Sequence, residues 1–199
     1  MEDQKLNLLI GLSGSIAVIK LQEILEKLIK SEKFNIKIVA TQKSLTFFDY
    51  AIQSYIEQNK LEIFTDENEW GQWKQRGDPV LHIDLRKWAH IFVITPLSAN
   101  TLAKITNGIC DNLLTSIVRA WDLTLDSKQI FFRYNQQDTV QTILNKPIIV
   151  APAMNTYMYN HPITLKQLNK LKKWNFIIMD TLEKILMCGD KGIYLQQKD

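Results

Sequence analysis

Five short, mostly apolar runs alternate along this chain with segments of helical periodicity, a pattern that few architectures can accommodate. The runs are typical of buried β-strands and cover Leu6–Ile10, Asn35–Thr41, His90–Thr95, Lys146–Ala151 and Phe176–Met179. The segments with apolar residues at helical spacing are 16–28, 44–58, 98–121 and 164–173. Short apolar strands that alternate with helices indicate a parallel sheet covered on both faces. We therefore predict an α/β fold, a flavodoxin-like or Rossmann-like three-layer sandwich, with functional sites at the carboxyl ends of the strands.

The 199 residues are expected to form a single domain, residues 1–199, because no Pro-, Gly- or Ser-rich linker and no internal repeat divides them. Residues 125–145 differ from their surroundings. They are polar and irregular at a place where a short connection between a helix and a strand is usual. We interpret them as a surface insertion.

The composition argues against several functional classes. The formal net charge is only +3 and the lysines are scattered, so the sequence lacks the basic stripe of a nucleic-acid-binding protein. No apolar run is long enough to span a membrane, and the first residues lack the features of a signal peptide. The chain has two cysteines and no spacing typical of a zinc site, so neither a disulfide framework nor a metal is expected. These observations predict a cytoplasmic protein that binds no membrane, nucleic acid or metal.

Two polar turns that follow buried strands are candidates for binding a ligand. In Ser13-Gly14-Ser15, the N–H groups, the hydroxyls and the dipole of the following helix favour an anion such as a phosphate. Pro96-Leu97-Ser98-Ala99-Asn100-Thr101 also joins a strand to a helix, so we expect it at the same edge of the sheet, sharing one ligand. The alternative for both turns is ordinary helix capping by serine.

The absence of two features indicates which nucleotide fits. The first turn lacks the Gly-x-Gly-x-x-Gly spacing of dinucleotide-binding folds. The second strand ends in Thr41-Gln42-Lys43-Ser44, without an acidic residue to hold an adenosine ribose. A mononucleotide such as FMN therefore fits better than NAD.

One of the three histidines is a candidate base. His82 lies in the short polar-apolar alternation of residues 78–85, after a tryptophan-rich loop that contains Trp70 and Trp73. Histidine can accept a proton near neutral pH, although a single histidine is more often structural. We expect the structural role for His90 and His161.

An asparagine and a cysteine near the end of the chain are further candidates. Asn155 follows the strand that stops at Pro152, and its amide can bind a substrate carboxylate or stabilise a turn. Cys188 lies in a glycine-flanked loop with a lysine nearby, which favours an exposed and reactive thiol. Cys110 lies in a helix-like apolar segment, so we expect it to be buried and inert.

Several longer stretches resemble the homo-oligomeric flavin-containing cysteine decarboxylases. In the order of that family, the matching stretches are Gly77–Arg86, Pro96–Lys104, Cys110–Thr115, Pro152–Thr156 and Cys188–Asp190. The resemblance implies a flavodoxin-like protomer that forms a homotrimer, with FMN held near the subunit contacts. It implies an FMN site formed by Ser13, Gly14, Ser15, Thr41, Ser44, Ser98, Ala99, Asn100, Thr101 and Met154.

The resemblance also implies catalytic roles. His82 corresponds to the base, Asn155 to the residue that holds the substrate carboxylate, and Cys188 to the acid that protonates a late intermediate. The resemblance also assigns Met187 to the substrate-binding site. Residues 188–199 correspond to a substrate flap and tail, which is shorter here than in relatives.

The implied activity is FMN-dependent decarboxylation of 4'-phosphopantothenoylcysteine to 4'-phosphopantetheine in coenzyme A biosynthesis. Loss of carbon dioxide from a cysteinyl amide leaves an unstabilised carbanion, so the reaction needs an electron sink that the substrate lacks. Oxidation of the thiol to a thioaldehyde supplies a C=S bond β to the carboxylate. Decarboxylation then gives an ene-thiolate, which is reduced and protonated to the product thiol.

Other functions are compatible with the same fold. The main alternative is a regulatory subunit that inhibits a protein phosphatase, and retention of the three catalytic candidates favours the enzyme. A peptidyl-cysteine decarboxylase or a flavin prenyltransferase is a third reading, of which the segments around Asn155 and Cys188 disfavour the prenyltransferase. The trimer could be homomeric or could include a partner chain.

Overall fold

A six-stranded parallel β-sheet forms the centre of the computed structural model, which describes residues 5–72, 74–123, 146–179, 181–185 and 191–195. The strands are β1 (Leu6–Leu12), β2 (Phe34–Ala40), β3 (Glu62–Phe64), β4 (Ile91–Leu97), β5 (Ile148–Pro152), β6 (Met154–Asn155), β7 (Ile177–Ile178), β8 (Thr181–Ile185) and β9 (Lys191–Leu195). The central sheet has the order β3-β2-β1-β4-β5-β7, and every neighbouring pair is parallel. This is the strand order of doubly wound nucleotide-binding folds.

Helices connect the strands and cover both faces of the sheet. They are α1 (Leu21–Lys30), α2 (Gln42–Leu45), α3 (Tyr50–Gln58), α4 (Asp66–Gln72), α5 (Leu81–Trp88), α6 (Ala99–Thr106), α7 (Leu113–Arg119), α8 (Thr156–Asn160) and α9 (Pro162–Lys173). A 3₁₀ turn, Ile16–Lys20, precedes α1.

The alternation of side chains along β1 separates two hydrophobic cores. Leu8 and Ile10 face one side, where they pack with residues of α1 and α3. Leu9 faces the other side, where α5, α6, α7 and α9 pack around Phe92 of β4. Because β1 and β4 are buried on both faces, their ends are fixed in position relative to each other.

The crevice expected for a ligand lies where the strand order reverses. From β1 the sheet continues to β2 on one side and to β4 on the other, so the carboxyl ends of β1 and β4 are neighbours. A second sheet, β6-β9-β8, is antiparallel and begins directly after β5. In this sheet β6 pairs with β9, Met154 opposite Ile193 and Asn155 opposite Gly192.

The structure confirms the α/β three-layer fold and changes several boundaries. The helix predicted over residues 44–58 is two helices, α2 and α3. The second begins at Asp49, whose carboxylate accepts a hydrogen bond from the Ile52 N–H at 2.8 Å. The tryptophan-rich loop is partly helical, because Trp70 belongs to α4. β3 and the antiparallel sheet were not predicted.

The prediction for Cys110 was wrong, since this residue is exposed in the loop between α6 and α7. Gly108, with a φ of 74°, ends the first of these helices, and Asn112 caps the second. The insertion at residues 125–145, and Trp73, Met187 and Cys188, lie outside the described residues, and the single-domain reading stays a prediction. In the described ranges, no helix is both long and apolar enough to cross a membrane.

Candidate active site

Ser13 joins the two turns at the point where the strand order reverses. Its side chain is fully buried, and its Oγ donates a hydrogen bond to the carbonyl oxygen of Pro96 at 2.7 Å. The same oxygen accepts a hydrogen bond from the N–H of Ser98 at 2.7 Å. The main-chain N–H of Ser13 also donates to the carbonyl of Pro96 at 3.3 Å, so both the backbone and the hydroxyl of Ser13 join the two turns predicted to share a ligand.

The turn after β2 approaches the first turn closely. A Cβ atom on Gly14 would lie 2.8 Å from the Cβ of Lys43, closer than real Cβ contacts allow. Glycine is thus required at this position by the approach of the two backbones. On its other side, Ser15 Oγ donates a hydrogen bond to the carbonyl oxygen of Ala153, just after β5, at 3.3 Å. The structure therefore brings the segments after β1, β2, β4 and β5 together.

The hydroxyls of these turns are largely used to hold the turns in shape. Ser44 Oγ donates to the carbonyl of Thr41, and the Thr41 hydroxyl accepts from the N–H of Ser44. Ser98 Oγ accepts from the N–H of Thr101 and bonds to its hydroxyl. The capping alternative considered for the two turns therefore describes the side chains of Ser15 and Ser98, but not that of Ser13.

The backbone of the same turns offers free donors. Within the described ranges, the N–H groups of Gly14, Ser15, Ala99 and Asn100 donate no hydrogen bond to another residue. The last two are the first N–H groups of α6, where the helix dipole is positive. A phosphate fits such donors, so these turns fit the phosphate of a mononucleotide through main-chain atoms more than through hydroxyls.

His82 lies in the first turn of α5 and is held by a carboxylate that the sequence analysis did not identify. The His82 N–H donates to Glu69 Oε2 at 3.0 Å, and the ring Nδ1 lies 2.5 Å from Glu69 Oε1. The side chain of Glu69 is only 9% exposed, whereas that of His82 is 26% exposed. The imidazole is therefore fixed on one side and accessible on another.

Contacts at the carboxyl-terminal end of α5 show how the helix is oriented relative to the edges of the central sheet. The carbonyl of Trp88 accepts a hydrogen bond from the side chain of Asn7 at the start of β1. Lys146, just before β5, donates to the carbonyls of Arg86 and Lys87. The last turn of α5 therefore lies at the amino edge of the sheet. His82, six residues before Trp88, is displaced by about 9 Å along the helix axis towards the carboxyl edge.

Asn155 ends β6 and begins α8. Its Oδ1 accepts a hydrogen bond from the N–H of Met158 at 2.8 Å, which fixes the orientation of the amide. In the part of the chain that the structure describes, its Nδ2 makes no hydrogen bond. Met154, one residue earlier, is buried in the larger core. Asn155 thus presents a fixed N–H₂ donor close to the segment that Ser15 contacts.

The described contacts bring together only some of the residues predicted to form the site. Adjoining segments contain the residues predicted to bind FMN, which are Ser13 to Ser15, Thr41, Ser44, Ser98 to Thr101 and Met154. His82 makes no hydrogen bond to any of these turns within the described ranges, and Met187 and Cys188 lie outside them. The strands that flank these two residues, β8 and β9, pair with each other and place Ile185 opposite Lys191. Strand β9 also pairs with β6.

The structural role expected for the two remaining histidines is confirmed. His90 Nδ1 accepts a hydrogen bond from the N–H of Asn7 at 3.0 Å, and His161 Nδ1 accepts from Ile163 N–H at the start of α9. Burial, with a smaller contribution from the charge of Lys146, lowers the pKa of His90. Among the described residues, no cluster of histidine, cysteine and acidic side chains could hold a metal ion.

Known proteins are similar to this chain in sequence and in fold. The chain matches the Flavoprotein family over residues 1–197. It is 38% identical over 192 residues to the phosphopantothenoylcysteine decarboxylase of Mus musculus, which covers 96% of this chain and 81% of the mouse protein.

Two solved structures are also similar over most of their length. One is a mutant PPC decarboxylase complexed with pantothenoylaminoethenethiol, with a TM-score of 0.80, 39% identity, and coverage of 98% of this chain and 92% of that one. The other is the FMN-binding protein AtHal3, with a TM-score of 0.76, 40% identity, and coverage of 98% and 91%. The chain therefore belongs to the Flavoprotein family, together with the phosphopantothenoylcysteine decarboxylases that it resembles.

Proposed function

We propose that this chain is an FMN-dependent carboxy-lyase that converts 4'-phosphopantothenoylcysteine to 4'-phosphopantetheine in coenzyme A biosynthesis. Its similarity over nearly the whole chain to the mouse phosphopantothenoylcysteine decarboxylase is the observation that carries the proposal. The geometry supports it, because a carboxylate-bound histidine, a fixed amide donor and free main-chain N–H groups all lie towards the carboxyl edge of the sheet.

The cofactor proposal is supported by the fit of the turns to a mononucleotide. The N–H groups of Gly14, Ser15, Ala99 and Asn100 would hold the phosphate, and the segments around Thr41, Ser44 and Met154 would line the ring system. FMN, when bound, supplies the two-electron acceptor that the substrate lacks and returns the electrons later in the cycle. The relative AtHal3 is described as an FMN-binding protein.

The residues of the chain would bind and orient the substrate and move its protons. His82 acts as the base that removes a proton during oxidation of the thiol. The Nδ2 of Asn155 donates to the substrate carboxylate, because its Oδ1 is already engaged. By resemblance to the family, Met187 would contact the substrate, and Cys188 would supply the proton that completes the product.

We further propose a homotrimer in the cytoplasm. Three large aromatic side chains, Tyr50, Trp70 and Tyr157, are 85%, 78% and 80% exposed, which favours subunit contacts. Trp70 adjoins Glu69 in the chain, so a contact there would lie close to His82. The exposed free thiol of Cys110 suits a reducing compartment. Residues 125–145 would be a surface insertion and 188–199 a substrate flap.

The test is an assay of the purified protein with 4'-phosphopantothenoylcysteine, with and without added FMN, in which carbon dioxide and the product thiol are measured. We expect a yellow protein that releases carbon dioxide and forms 4'-phosphopantetheine. His82→Asn should abolish this release and leave the flavin spectrum unchanged. His161→Asn is the matched control, because an exposed capping histidine is replaced by another good cap.

Two results would overturn the proposal. A colourless wild-type protein that is folded and inactive even with added FMN contradicts both cofactor and reaction. Recovery of a protein phosphatase in a pull-down, together with absence of decarboxylation, would instead assign the chain to the regulatory alternative.

A further inference from the structure

Glu69 makes an unusual pair of contacts, because both of its carboxylate oxygens bind the same residue. Oε2 accepts the main-chain N–H of His82, which is one of the unsatisfied donors at the start of α5. Oε1 lies 2.5 Å from the ring Nδ1. One oxygen thus fixes the backbone of His82 and the other its ring, so the ring cannot rotate without losing a contact.

The position of Glu69 is itself determined by contacts at the start of α4. Asp66 Oδ1 accepts the N–H of Leu113, the first residue of α7, at 2.7 Å. Asn68 Oδ1 accepts hydrogen bonds from the N–H and the hydroxyl of Thr65, the residue just before α4. These bonds stabilise the first turn of the helix. Helix α4 is therefore attached to both α5 and α7, and Glu69 is nearly excluded from water.

These contacts determine which ring nitrogen of His82 carries hydrogen. An ionised carboxylate can only accept hydrogen bonds, so with Glu69 ionised the 2.5 Å contact is a hydrogen bond only when Nδ1 carries the hydrogen. A neutral imidazole has one N–H, so the lone pair must then lie on Nε2. In the described ranges, Nε2 makes no hydrogen bond.

The other two histidines have the opposite arrangement. Nδ1 of His90 and Nδ1 of His161 each accept a main-chain N–H, so in their neutral forms these rings carry hydrogen on Nε2. Among three histidines, the one with the proposed catalytic role is thus the one whose Nε2 is left as an acceptor.

We propose that Glu69 is a positioning residue that holds His82 in the Nδ1–H tautomer and so makes Nε2 the basic nitrogen of the site. The role of this nitrogen in catalysis rests on the proposed function. In that reaction the S–H bond of the substrate breaks, its electron pair stays on sulfur, and the proton bonds to Nε2. His82 then carries one positive charge, which the adjacent Glu69 carboxylate offsets.

The tautomer can be measured in the wild-type protein without any variant. Histidine labelled with ¹⁵N, in the purified protein at pH 8, gives ring ¹⁵N shifts that distinguish protonated from unprotonated nitrogens. We expect one histidine with hydrogen on Nδ1 and two with hydrogen on Nε2, and His82→Asn should remove the first set of signals. A spectrum in which all three rings carry hydrogen on Nε2 overturns the proposal.

Glu69→Gln tests the function of the tautomer. The glutamine oxygen can still accept the His82 N–H, but its amide now donates to Nδ1, which moves the ring hydrogen to Nε2. We expect kcat for decarboxylation to fall about 10²- to 10⁴-fold, the range of general acid–base contributions, with a much smaller change in KM. The ¹⁵N signature of His82 should reverse, and flavin absorbance should stay unchanged. Glu69→Asp, which keeps the carboxylate, should restore part of kcat.

Glu67→Gln is the matched control, because Glu67 is an exposed acidic residue on the same helix. It should change neither kcat nor the tautomer. An active wild type together with a Glu69→Gln variant of unchanged kcat and unchanged tautomer contradicts the proposal. If Glu69→Gln fails to fold, the wild-type spectrum alone decides.

Different results would contradict the proposed function and the proposed role of Glu69. A wild-type protein with hydrogen on Nδ1 of His82 and no decarboxylation contradicts the proposed function and supports the tautomer. Decarboxylation with hydrogen on Nε2 of His82 supports the function and contradicts the role of Glu69.

Discussion

The hydroxyl of Ser13 accepts a 2.7 Å hydrogen bond from the N–H of Ser98, 85 residues further along the chain. The same hydroxyl, just after β1, donates to the carbonyl of Pro96, so it satisfies one donor and one acceptor at the end of β4. All three groups lie in the interior, where water cannot replace a lost partner. The side chain of Ser13 therefore helps to set the spacing of the two turns at the proposed FMN site, together with the main-chain bond from its N–H to the Pro96 carbonyl.

Ser13→Ala should destabilise the protein. The substitution leaves the buried N–H of Ser98 without its partner, while the carbonyl of Pro96 keeps the main-chain N–H of Ser13, and the cost is about 1–3 kcal/mol in the free energy of unfolding. Urea denaturation of the apoprotein measures this change, and a flavin titration should show weaker FMN binding. Ser54→Ala is the control, since its hydroxyl accepts only from the exposed side chain of Gln58. Equal stability of the two variants would contradict the role assigned to Ser13.

Gly14→Ala should weaken FMN binding through a steric effect. The new Cβ would lie 2.8 Å from the Cβ of Lys43, so the turns after β1 and β2 must separate. Overpacking of this kind costs about 1–3 kcal/mol, and the shift also moves the N–H groups proposed to bind the phosphate. The FMN dissociation constant and the melting temperature are the measurements. Gly71→Ala, where a Cβ meets nothing within 4 Å, should be neutral or slightly stabilising in helix α4.

Asn155→Asp should separate the structural role of this residue from its proposed substrate contact. Aspartate caps a helix as well as asparagine, so the melting temperature should change little. The N–H₂ donor, however, becomes a carboxylate oxygen that repels the substrate carboxylate, and we expect KM to rise at least tenfold. Asn160→Asp adds the same charge at an exposed position on α8 and should leave KM unchanged. A stable Asn155→Asp variant with wild-type KM would falsify the assignment.

The sequence predicted the turns of the candidate site that follow strand ends. It did not predict the contact of Glu69 with His82, which joins two helices. Ser13 and Ser98 could be placed together because each follows a buried strand of one parallel sheet. Glu69 was missed because residues around Trp70 were interpreted as loop. The acidic run Asp66, Glu67 and Glu69 after a short strand is, in retrospect, a signal for the first turn of a helix.

Two other features were not predicted correctly, for different reasons. The strand β6 is only two residues long, and it pairs with the distant β9, Met154 opposite Ile193 and Asn155 opposite Gly192, so no periodicity could reveal the antiparallel sheet. Cys110 was placed in a helix because its surroundings are apolar. Gly108 and Asn112 mark the end of one helix and the start of the next, and these residues should have outweighed the composition.

The environment of His90 predicts how stability depends on pH. Burial, followed by the charge of Lys146, lowers the pKa of His90 below its usual value of 6.5, so the folded protein binds a proton here less readily than the unfolded chain. Stability therefore falls as the pH decreases through 6.5, with a contribution of at most about 1.4 kcal/mol per pH unit from one group. His90→Asn keeps an acceptor for the Asn7 N–H and removes the titration. Between pH 7.5 and 5.5, urea denaturation should show a smaller loss of stability in this variant than in the wild type. Parallel pH profiles for the two proteins would show that His90 does not contribute.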